Sequence, residues 1–540
     1  MALHPTPNAD QHASAHDRDH QTWSRRQFLA MSGIATLGAS LLFHKIPIRA
    51  AAPSPLLAAL SNAPTDRCLV LIRLKGGNDG LNTVIPLDQY SNYQTVRPTL
   101  AISNANTIAL ADGSLGINNA LSDIHPLWLD GKMKIVRNTG YPSQNLSHFR
   151  SSDIWATASN TADVWYTGWA GRYFDREYPA YFTASPSVPP ALQIGSDSNL
   201  MFRGGAGNMA LVLNSVTDFY NIAQTGNLYD ANDIPPCYYG EELSFMRTIT
   251  NSSVRFSDVV KAAYDSSSNS VTYPTTNNRL AEQLAVIARL IKGNLGTKIY
   301  MVTLDGFDTH SAQLITHNTL LTRLAQSVKA FTDDLTIGGK SQDVLIMTFS
   351  EFGRRIAQNG SAGTDHGEGS PLFLWGDELN GGGIVGNAPN ITTPPTTGNV
   401  TFETDFRSIY ATILQDWFCL DPLLTDAIMG SSPQRISDLV NACQPSTDAG
   451  DWAVLLGHQP DLEQSGHIML KYAVLNKGNV RLQILNTAGR AVVTLFNEFR
   501  ETGSYIYDFV PAAYRLPAGE YIYQIEASGK QYSRLIRIGF

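Results

Sequence analysis

The feature that most limits the possible folds is an alternation of short apolar segments with helical patterns over residues 63–441. Helical periodicity covers Leu280–Lys292 and Leu320–Thr332. Five segments rich in Leu, Val and Ile have the length of buried strands: Leu69–Leu74, Met133–Val136, Ala191–Ile194, Lys298–Leu304 and Asp343–Thr348. Strands that alternate with helices predict an α/β domain with a mostly parallel sheet and helices on both of its faces.

Composition limits the classes of function. The chain has 540 residues, of which 43% are hydrophobic, so it can bury one large core and a smaller module. Its formal net charge of -8 argues against a nucleic-acid partner, which requires a basic surface. The four cysteines are too scattered for a disulfide framework or a cysteine zinc site, and only Cys419 and Cys443 are near enough in sequence to invite pairing.

Residues 1–52 have the pattern of a twin-arginine signal peptide. Arg25 and Arg26 precede a modest apolar stretch, and small residues near Ala52 suit cleavage. Such a signal directs a folded protein to the twin-arginine export machinery of the bacterial inner membrane. We therefore expect an exported protein that has no transmembrane anchor after processing. An N-terminal membrane anchor that stays uncleaved is the alternative.

Residues 466–540 alternate apolar and polar positions between turn signals such as Asn476-Lys477-Gly478. About seven short strands at this spacing predict a small antiparallel, immunoglobulin-like β-sandwich, preceded by a linker over residues 442–465. The segment resembles the C-terminal sorting domains of the type IX secretion system. This resemblance implies that the type IX machinery delivers the protein to the cell surface or the extracellular medium, whereas without it the protein would stay in the periplasm. A carbohydrate-binding sandwich is the alternative.

Polar residues follow four of the five predicted strands, at the edge where ligand groups gather in such sheets. Asp79 lies in a glycine-rich turn after the first strand, where small neighbours allow a close approach to an ion. The loops after the second, fourth and fifth strands hold the other candidates: Ser147, His148, Arg150, Asp305, Asp308, His310, Glu351, Asp365 and His366. Carboxylates together with imidazoles suit one or two divalent ions such as Zn²⁺, Mn²⁺, Mg²⁺ or Ca²⁺.

Six motifs occur in a fixed order: "LKGGNDGLNTVIP", "YPSQNLSHFRSSDIW", "GWAGRYFD", "LDGFDTH", "SEFGR" and "GTDHG". Together they resemble the uncharacterised family called domain of unknown function fifteen-oh-one, over roughly residues 69–417. That family is placed in the alkaline phosphatase and sulfatase superfamily, whose members hydrolyse phosphate or sulfate esters with one or two metal ions. The resemblance therefore implies an alkaline-phosphatase-like sheet, a divalent metal and an anionic ester substrate.

The resemblance also implies which residues bind the metal. The motifs match ligand positions of the superfamily at these residues: Asp79, Asp305, Asp308, His310 and His366. Asp365 would be a further ligand or a partner of one. Glu351 stands where these enzymes usually carry an Asp-His pair, and this departure weakens the case for a second metal ion.

For the chemistry itself, Ser147 matches the nucleophile position at the start of a helix, with His148 as its rival. Arg150, Arg354 or Arg355 would clamp the anionic ester, because a guanidinium matches the geometry of phosphate or sulfate.

Each of these residues also has a simpler structural explanation. Asp79 is compatible with an ordinary Asn-Asp-Gly turn, and Ser147 with a helix N-cap. Asp305 is compatible with a solvated turn, and Glu351 with an ion pair to the arginines that follow it.

Two functions from different classes remain open at this stage. The first is an exported metal-dependent hydrolase of phosphate or sulfate esters. The second is a non-catalytic secreted or surface-displayed protein that binds a metal or a glycan through a degenerate hydrolase site. The first depends on a spatial condition, namely that the side chains of Asp79, Asp305, His310 and His366 converge on one cation.

Overall fold

The computed structural model describes residues 66–110, 113–178, 181, 186–195, 198–205, 207–224, 238–393, 395–442, 453–460, 466–486, 490–527 and 530–539. The twin-arginine prediction concerns residues 1–52, which lie outside this part of the chain.

All five predicted strands of the α/β region are confirmed, with ends that shift by a few residues. They correspond to β1, β5, β6, β8 and β9 in the structure. The described residues of this region form fourteen strands: β1 Cys68–Lys75, β2 Val84–Pro86, β3 Thr107–Leu110, β4 Leu115–Asn118, β5 Met133–Gly140, β6 Ala191–Ile194, β7 Ala210–Leu213, β8 Ile299–Asp305, β9 Val344–Phe349, β10 Gly353–Arg354, β11 His366–Gly367, β12 Ser370–Trp375, β13 Gly383–Val385 and β14 Thr404–Asp405.

The central sheet is mostly parallel, as predicted. Its strand order is β13-β5-β12-β9-β1-β8-β6-β7, and β14 adds to β5. β1 pairs in parallel with both β8 and β9, and only β12 runs antiparallel to its neighbours β5 and β9. The strands β5, β9, β1 and β8 therefore run in one direction and end at the same edge of the sheet, which we call the carboxyl edge. β12 begins at this edge.

Helices cover the sheet. Two of them coincide with the predicted helical patterns, at Arg279–Lys292 and Gln313–Ile337. The α-helices of the described residues are α1 Gly80–Thr83, α2 Tyr90–Val96, α3 His125–Leu129, α4 His148–Thr157, α5 Trp169–Glu177, α6 Val216–Gln224, α7 Tyr238–Asp265, α8 Arg279–Lys292, α9 Gln313–Ile337, α10 Phe406–Thr412 and α11 Pro422–Met429. Consecutive residues of β1 from Leu69 to Ile72 are fully buried, which shows that both faces of the sheet are covered.

The C-terminal region forms the predicted antiparallel sandwich. One sheet has the order β15-β16-β19 and the other β18-β17-β20-β21, and both contribute side chains to one shared core. Its strands are β15 Ala453–Pro460, β16 Ile468–Val474, β17 Gly478–Leu485, β18 Ala491–Arg500, β19 Gly503–Phe509, β20 Gly519–Ala527 and β21 Lys530–Ile538.

The predicted start of the sandwich is wrong by one strand. β15 lies inside the predicted linker of residues 442–465 and pairs with β16, so the sandwich begins at Ala453 and not at residue 466. The sandwich packs on the α/β region through α11, where Leu423 and Leu424 contact Ala473 and Leu475. None of the helices in the described ranges combines the length and hydrophobicity needed to cross a membrane.

A buried polar network ties the loop after β1 to helix α9. The Nε2 atom of His317 lies 3.1 Å from Asn78 Oδ1, and the His317 ring packs edge-on against Phe307. Burial lowers the pKa of His317 to about 4, so the folded protein holds this imidazole neutral at pH 7.

We expect His317 to make the fold sensitive to acid. The unfolded chain binds a proton at this histidine near pH 6.5 and the folded chain only near pH 4, so stability is lost as the pH falls between these values. Between neutral pH and pH 5, wild type should lose about 2 kcal/mol more of its free energy of unfolding than a His317→Gln variant. Urea unfolding at both pH values measures this difference, and an equal loss in the two proteins would contradict the assignment.

Candidate metal centre

The loops at the carboxyl edge bring four of the predicted residues together. His148 is the first residue of α4, in the connection that follows β5. Asp308 and His310 lie between β8 and α9, and His366 lies on β11, between β9 and β12. Because β5, β8 and β9 end at the same edge, residues that are far apart in sequence become neighbours there. We call His148, Asp308, His310 and His366 the histidine cluster.

In the histidine cluster, three imidazoles surround one carboxylate. His310 Nε2 and His366 Nε2 each lie 3.2 Å from Asp308 Oδ1, and they are 3.0 Å from each other. His148 Nε2 lies 3.5 Å from Asp308 Oδ2. Candidate ligand atoms of His148, Asp308 and His366 all lie within 4.8 Å of one another. One small cation could therefore contact several of these atoms at once.

The Nδ1 atom of each histidine is held on the opposite side of its ring. His148 Nδ1 lies 2.9 Å from Glu351 Oε1, and His310 Nδ1 lies 3.2 Å from Asp365 Oδ1. His366 Nδ1 lies 2.9 Å from the carbonyl oxygen of Leu146. Since these oxygens are acceptors, each Nδ1 donates its hydrogen, which leaves Nε2 as the ring atom that could bind a cation in the cluster.

This arrangement fits a metal ion. Two Nε2 atoms 3.0 Å apart, each 3.2 Å from the same carboxylate oxygen, are spaced closely enough to bind one small cation together. Histidines that ligate metals commonly donate their other N–H to a carboxylate or a backbone carbonyl, which fixes the orientation of the ring. All three histidines of the cluster have such a partner.

The charges of the cluster are set by its neighbours. Burial would raise the pKa of Asp308, but the hydrogen bond and the positive charge of Arg354 act against burial, and the pKa is lowered to about 2, so the carboxylate is ionised. The hydrogen bond to Glu351 raises the pKa of His148. Burial lowers the pKa of His366, which disfavours a proton on that ring.

Arg354 holds the loops of the carboxyl edge together. Its guanidinium is fully buried, donates to Asp308 Oδ1 at 2.7 Å, and also donates to four backbone carbonyls in three loops: Gly76, Gly77, Phe307 and Thr364. On β10, Arg354 pairs with His366 on β11. The predicted role of Arg354 as a substrate clamp is therefore wrong, because all of these contacts are internal to the protein.

The glycine-rich turn after β1 has a structural reason. Gly76 has a φ of +122°, and a Cβ at this position would collide with the backbone nitrogen of Asp308. The turn can thus lie directly against the loop that carries Asp308 and His310 only if residue 76 is glycine.

Asp79 does not reach the cluster, contrary to the prediction. Its carboxylate is buried, forms a 2.6 Å ion pair with the equally buried Arg97, and accepts a hydrogen bond from Gln313. Burial raises the pKa of Asp79, but the charge of Arg97 outweighs this effect and lowers it overall. Asp79 is a structural residue of the network below the carboxyl edge.

Asp305 is likewise outside the cluster. Its side chain is 64% exposed and pairs with Lys75 at 2.7 Å, as expected of a solvated turn. The predicted convergence of residues 79, 305, 310 and 366 is therefore half correct. His310 and His366 lie together in the cluster. The other two members of the cluster are His148 and Asp308, and not Asp79 and Asp305.

Glu351 and Asp365 lie behind the cluster and not in it. The Oε1 atom of the buried Glu351 contacts Nδ1 of His148 and the backbone N–H of Gly76, so it orients the ring of a candidate ligand, and its own predicted role as a ligand stays a prediction. Asp365 contacts Nδ1 of His310 in the same way. This position matches one of the two roles expected from the sequence, that of a partner of a ligand.

Ser147 occupies the N-cap position of α4, is exposed, and makes no side-chain capping hydrogen bond. Its predicted nucleophilic role stays a prediction. The predicted role of Arg150 as a substrate clamp likewise stays a prediction. Its guanidinium donates to the carbonyls of Asn160, Thr161 and Asp163 and so ties a neighbouring loop to α4.

Sequence reasoning treated His148 only as a rival nucleophile and missed its place beside Asp308. The available signal was its position at the start of a helix directly after a predicted strand. The carbonyl of Leu146, which orients His366, carries no sequence signal, because any residue provides a carbonyl.

Fold and site together define an α/β protein with a candidate metal centre at the carboxyl edge of its sheet. Residues 131–421 match the family described as protein of unknown function (DUF1501). Because the match spans more than half of the chain, the protein belongs to this family. No curated protein matches the sequence.

Solved structures with distant similarity include hydrolases. A sulfatase from Pseudoalteromonas sp. is 10% identical, with a TM-score of 0.31 and coverage of 85% of this chain and 89% of that one. A protein of the alkaline phosphatase superfamily from Vibrio parahaemolyticus is 8% identical, with a TM-score of 0.28 and coverage of 85% and 86%. Similarities this low carry no argument about function, and the fold class rests on the sheet itself.

We expect the histidine cluster to bind a divalent metal. The full chain loaded with Zn²⁺ should retain the ion on dialysis, and His148→Ala and His366→Ala should each lose most of it. Glu351→Gln should weaken binding about 10- to 100-fold, because a neutral amide oxygen accepts the Nδ1–H of His148 less strongly than a carboxylate and makes the ring a weaker ligand. Metal analysis and calorimetric titration measure these changes.

Asp305→Asn is the matched control, since Asp305 is an exposed carboxylate close in sequence to Asp308 but outside the cluster. Loss of the metal in this variant, or retention of the metal in both histidine variants, would contradict the assignment.

Proposed function

We propose that this protein is an exported metal-dependent hydrolase of phosphate or sulfate esters. The observation that carries the proposal is that the histidine cluster lies at the uncapped N-terminus of helix α4. A cation site beside a helix N-terminus provides two sources of positive potential for one anionic group.

The donor set favours a particular choice of ion. His148, Asp308, His310 and His366 would hold it, and imidazoles with one carboxylate are ligands that suit Zn²⁺, with Mn²⁺ also compatible. When bound, such an ion acts as a Lewis acid towards an ester oxygen. A set dominated by histidine does not favour Ca²⁺ or Mg²⁺, which prefer oxygen ligands. We propose one ion, because the cluster is the single group of this kind among the residues that the structure describes.

Helix α4 would bind the anionic end of the substrate. The first backbone N–H groups of a helix have no partner within the helix and carry partial positive charge. Among the residues that the structure describes, no side chain caps those of α4, although Ser147 occupies the cap position. A phosphate or sulfate group could accept hydrogen bonds from these N–H groups while it faces His148.

Ser147 is the residue we propose as nucleophile. Its exposed hydroxyl lies at the start of α4, directly before His148, so an ester bound at the N-terminus of the helix would be next to it. Attack by this hydroxyl on the phosphorus or sulfur atom would break the ester bond, release the alcohol with the proton lost by the serine, and leave a phosphate or sulfate ester of Ser147, which water would then hydrolyse. A water molecule that attacks directly is the alternative route, and Ser147→Ala distinguishes the two.

We expect the Zn²⁺-loaded chain lacking residues 1–52 to hydrolyse phosphate or sulfate monoesters. His366→Ala should abolish the activity, and Ser147→Ala should lower kcat by about 100-fold or more if serine is the nucleophile. Asp305→Asn should keep wild-type activity. Chromogenic monoesters of both classes provide the assay.

A protein that retains the metal fully but cleaves no ester would contradict the hydrolase proposal and favour the non-catalytic binding protein. Activity that survives His366→Ala together with loss of the metal would also contradict it.

For localisation, we propose export by the twin-arginine route and delivery to the cell surface or medium by the type IX machinery. Arg25 and Arg26 support the first step, and the sandwich from Ala453 onward supports the second. Cys419 is disulfide-bonded, and structural disulfides persist in oxidising compartments outside the cytoplasm.

Replacing Arg25 and Arg26 by lysine should leave the precursor in the cytoplasm. Deleting residues 453–540 should leave the protein in the periplasm. Cell fractionation with immunoblotting measures both results, and normal delivery of either variant would reject the corresponding step.

A further inference from the structure

Large apolar side chains are exposed on segments next to those that carry the histidine cluster. The described part of the α/β region exposes six such side chains: Leu129, Phe149, Val164, Tyr166, Ile315 and Ile337. Phe149 and Ile315 lie in the first turns of α4 and α9, and Val164 and Tyr166 lie on a loop that is hydrogen-bonded to α4. We call these four the apolar rim. Isolated exposed apolar residues need no explanation, whereas a group of them around a site indicates binding.

Phe149 is the member nearest to the cluster along the chain. It follows His148 directly, so their Cα atoms are about 3.8 Å apart. Its side chain is 86% exposed. Helical side chains lean towards the N-terminus of their helix, so in the first turn of α4 Phe149 leans towards the space where the proposed anion would bind.

Ile315 has an equivalent position on α9. It lies in the first turn of that helix, five residues after His310, and is 82% exposed. The side chain of Ile315 likewise leans towards the N-terminus of its helix. That end of α9 follows directly after the segment that carries Asp308 and His310.

Val164 and Tyr166 belong to a loop that is fixed against the start of α4. Arg150 donates to three carbonyls of this loop, at Asn160, Thr161 and Asp163. The hydroxyl of Thr161 donates to the carbonyls of Pro142 and Ser143, in the same connection that holds Leu146 behind His366. The loop is therefore tied to α4 and to the connection before it through five carbonyl oxygens, although two of its apolar side chains face solvent.

We propose that the apolar rim binds the organic group of the ester and selects substrates with an apolar ring. This inference rests on the proposed function, because the anionic end must be at the α4 N-terminus for the organic group to reach the rim. A bound ring would shield Phe149 and Tyr166 from water, and aromatic side chains offer the large flat contact area that a ring requires.

Two non-hydrolysable anions that differ only in the organic group test the proposal. Calorimetry on the Zn²⁺-loaded chain should show phenylphosphonate binding about tenfold more tightly than methylphosphonate. A difference of this size is expected when a phenyl ring buries about half of its surface against another aromatic ring. Phe149→Ser should reduce this preference to about twofold and leave the affinity for methylphosphonate unchanged. Phe499→Ser on β18, where Phe499 is 57% exposed, is the matched control and should keep the tenfold preference.

The outcomes separate the two proposals. If both anions bind wild type equally well, the rim proposal is overturned while the anion site stands. If neither anion binds the metal-loaded protein, the proposed function fails and the rim proposal fails with it. If Phe149→Ser keeps the ring preference but loses binding to phosphatidylcholine vesicles, the rim contacts a lipid surface and the substrate proposal is overturned.

Discussion

Three imidazole nitrogens point at one carboxylate, and the function we assign depends on this arrangement. The Nε2 atoms of His148, His310 and His366 face Asp308, and their Nδ1 atoms are held from behind by Glu351, Asp365 and the carbonyl of Leu146. Two Nε2 atoms held 3.0 Å apart share either a proton or a cation, and a cation would also bind the carboxylate between them. The carboxylate and carbonyl partners of the imidazoles are those that metal-ligating histidines use in other proteins.

The rest of the carboxyl edge supports this arrangement. Arg354 is buried beneath the cluster and joins three loops through their carbonyls, while its contact with Asp308 keeps that carboxylate ionised. Gly76 allows the turn after β1 to lie against Asp308 without a clash. A buried arginine that is fully hydrogen-bonded is costly to disturb, so these loops have little freedom to move apart. Rigid support of this kind suits a site whose candidate ligands are spread over more than two hundred residues of the sequence, from His148 to His366.

Much of the fold follows from sequence because each central strand contains a run of apolar residues. Such runs are recognisable without knowledge of their neighbours, and their common direction predicts where Asp308, His310 and His366 gather. The partners of individual side chains do not follow in this way. Asp79 looked like a ligand because its partner Arg97 cannot be identified from sequence, and Glu351 looked like one because its distance from His148 depends on how two loops pack. The sequence predicts a linker where β15 lies, because this segment contains Gly457, His458, Gln459 and Pro460 and lacks a clear alternation of apolar and polar residues.

The most direct test of the central claim is X-ray absorption spectroscopy at the zinc edge on the full chain loaded with one equivalent of Zn²⁺. The account predicts a first shell of imidazole nitrogens and carboxylate oxygen at about 2.0–2.1 Å, with the multiple-scattering pattern of three histidines. A first shell of oxygen alone, or a spectrum without histidine scattering, would show that these residues do not share an ion.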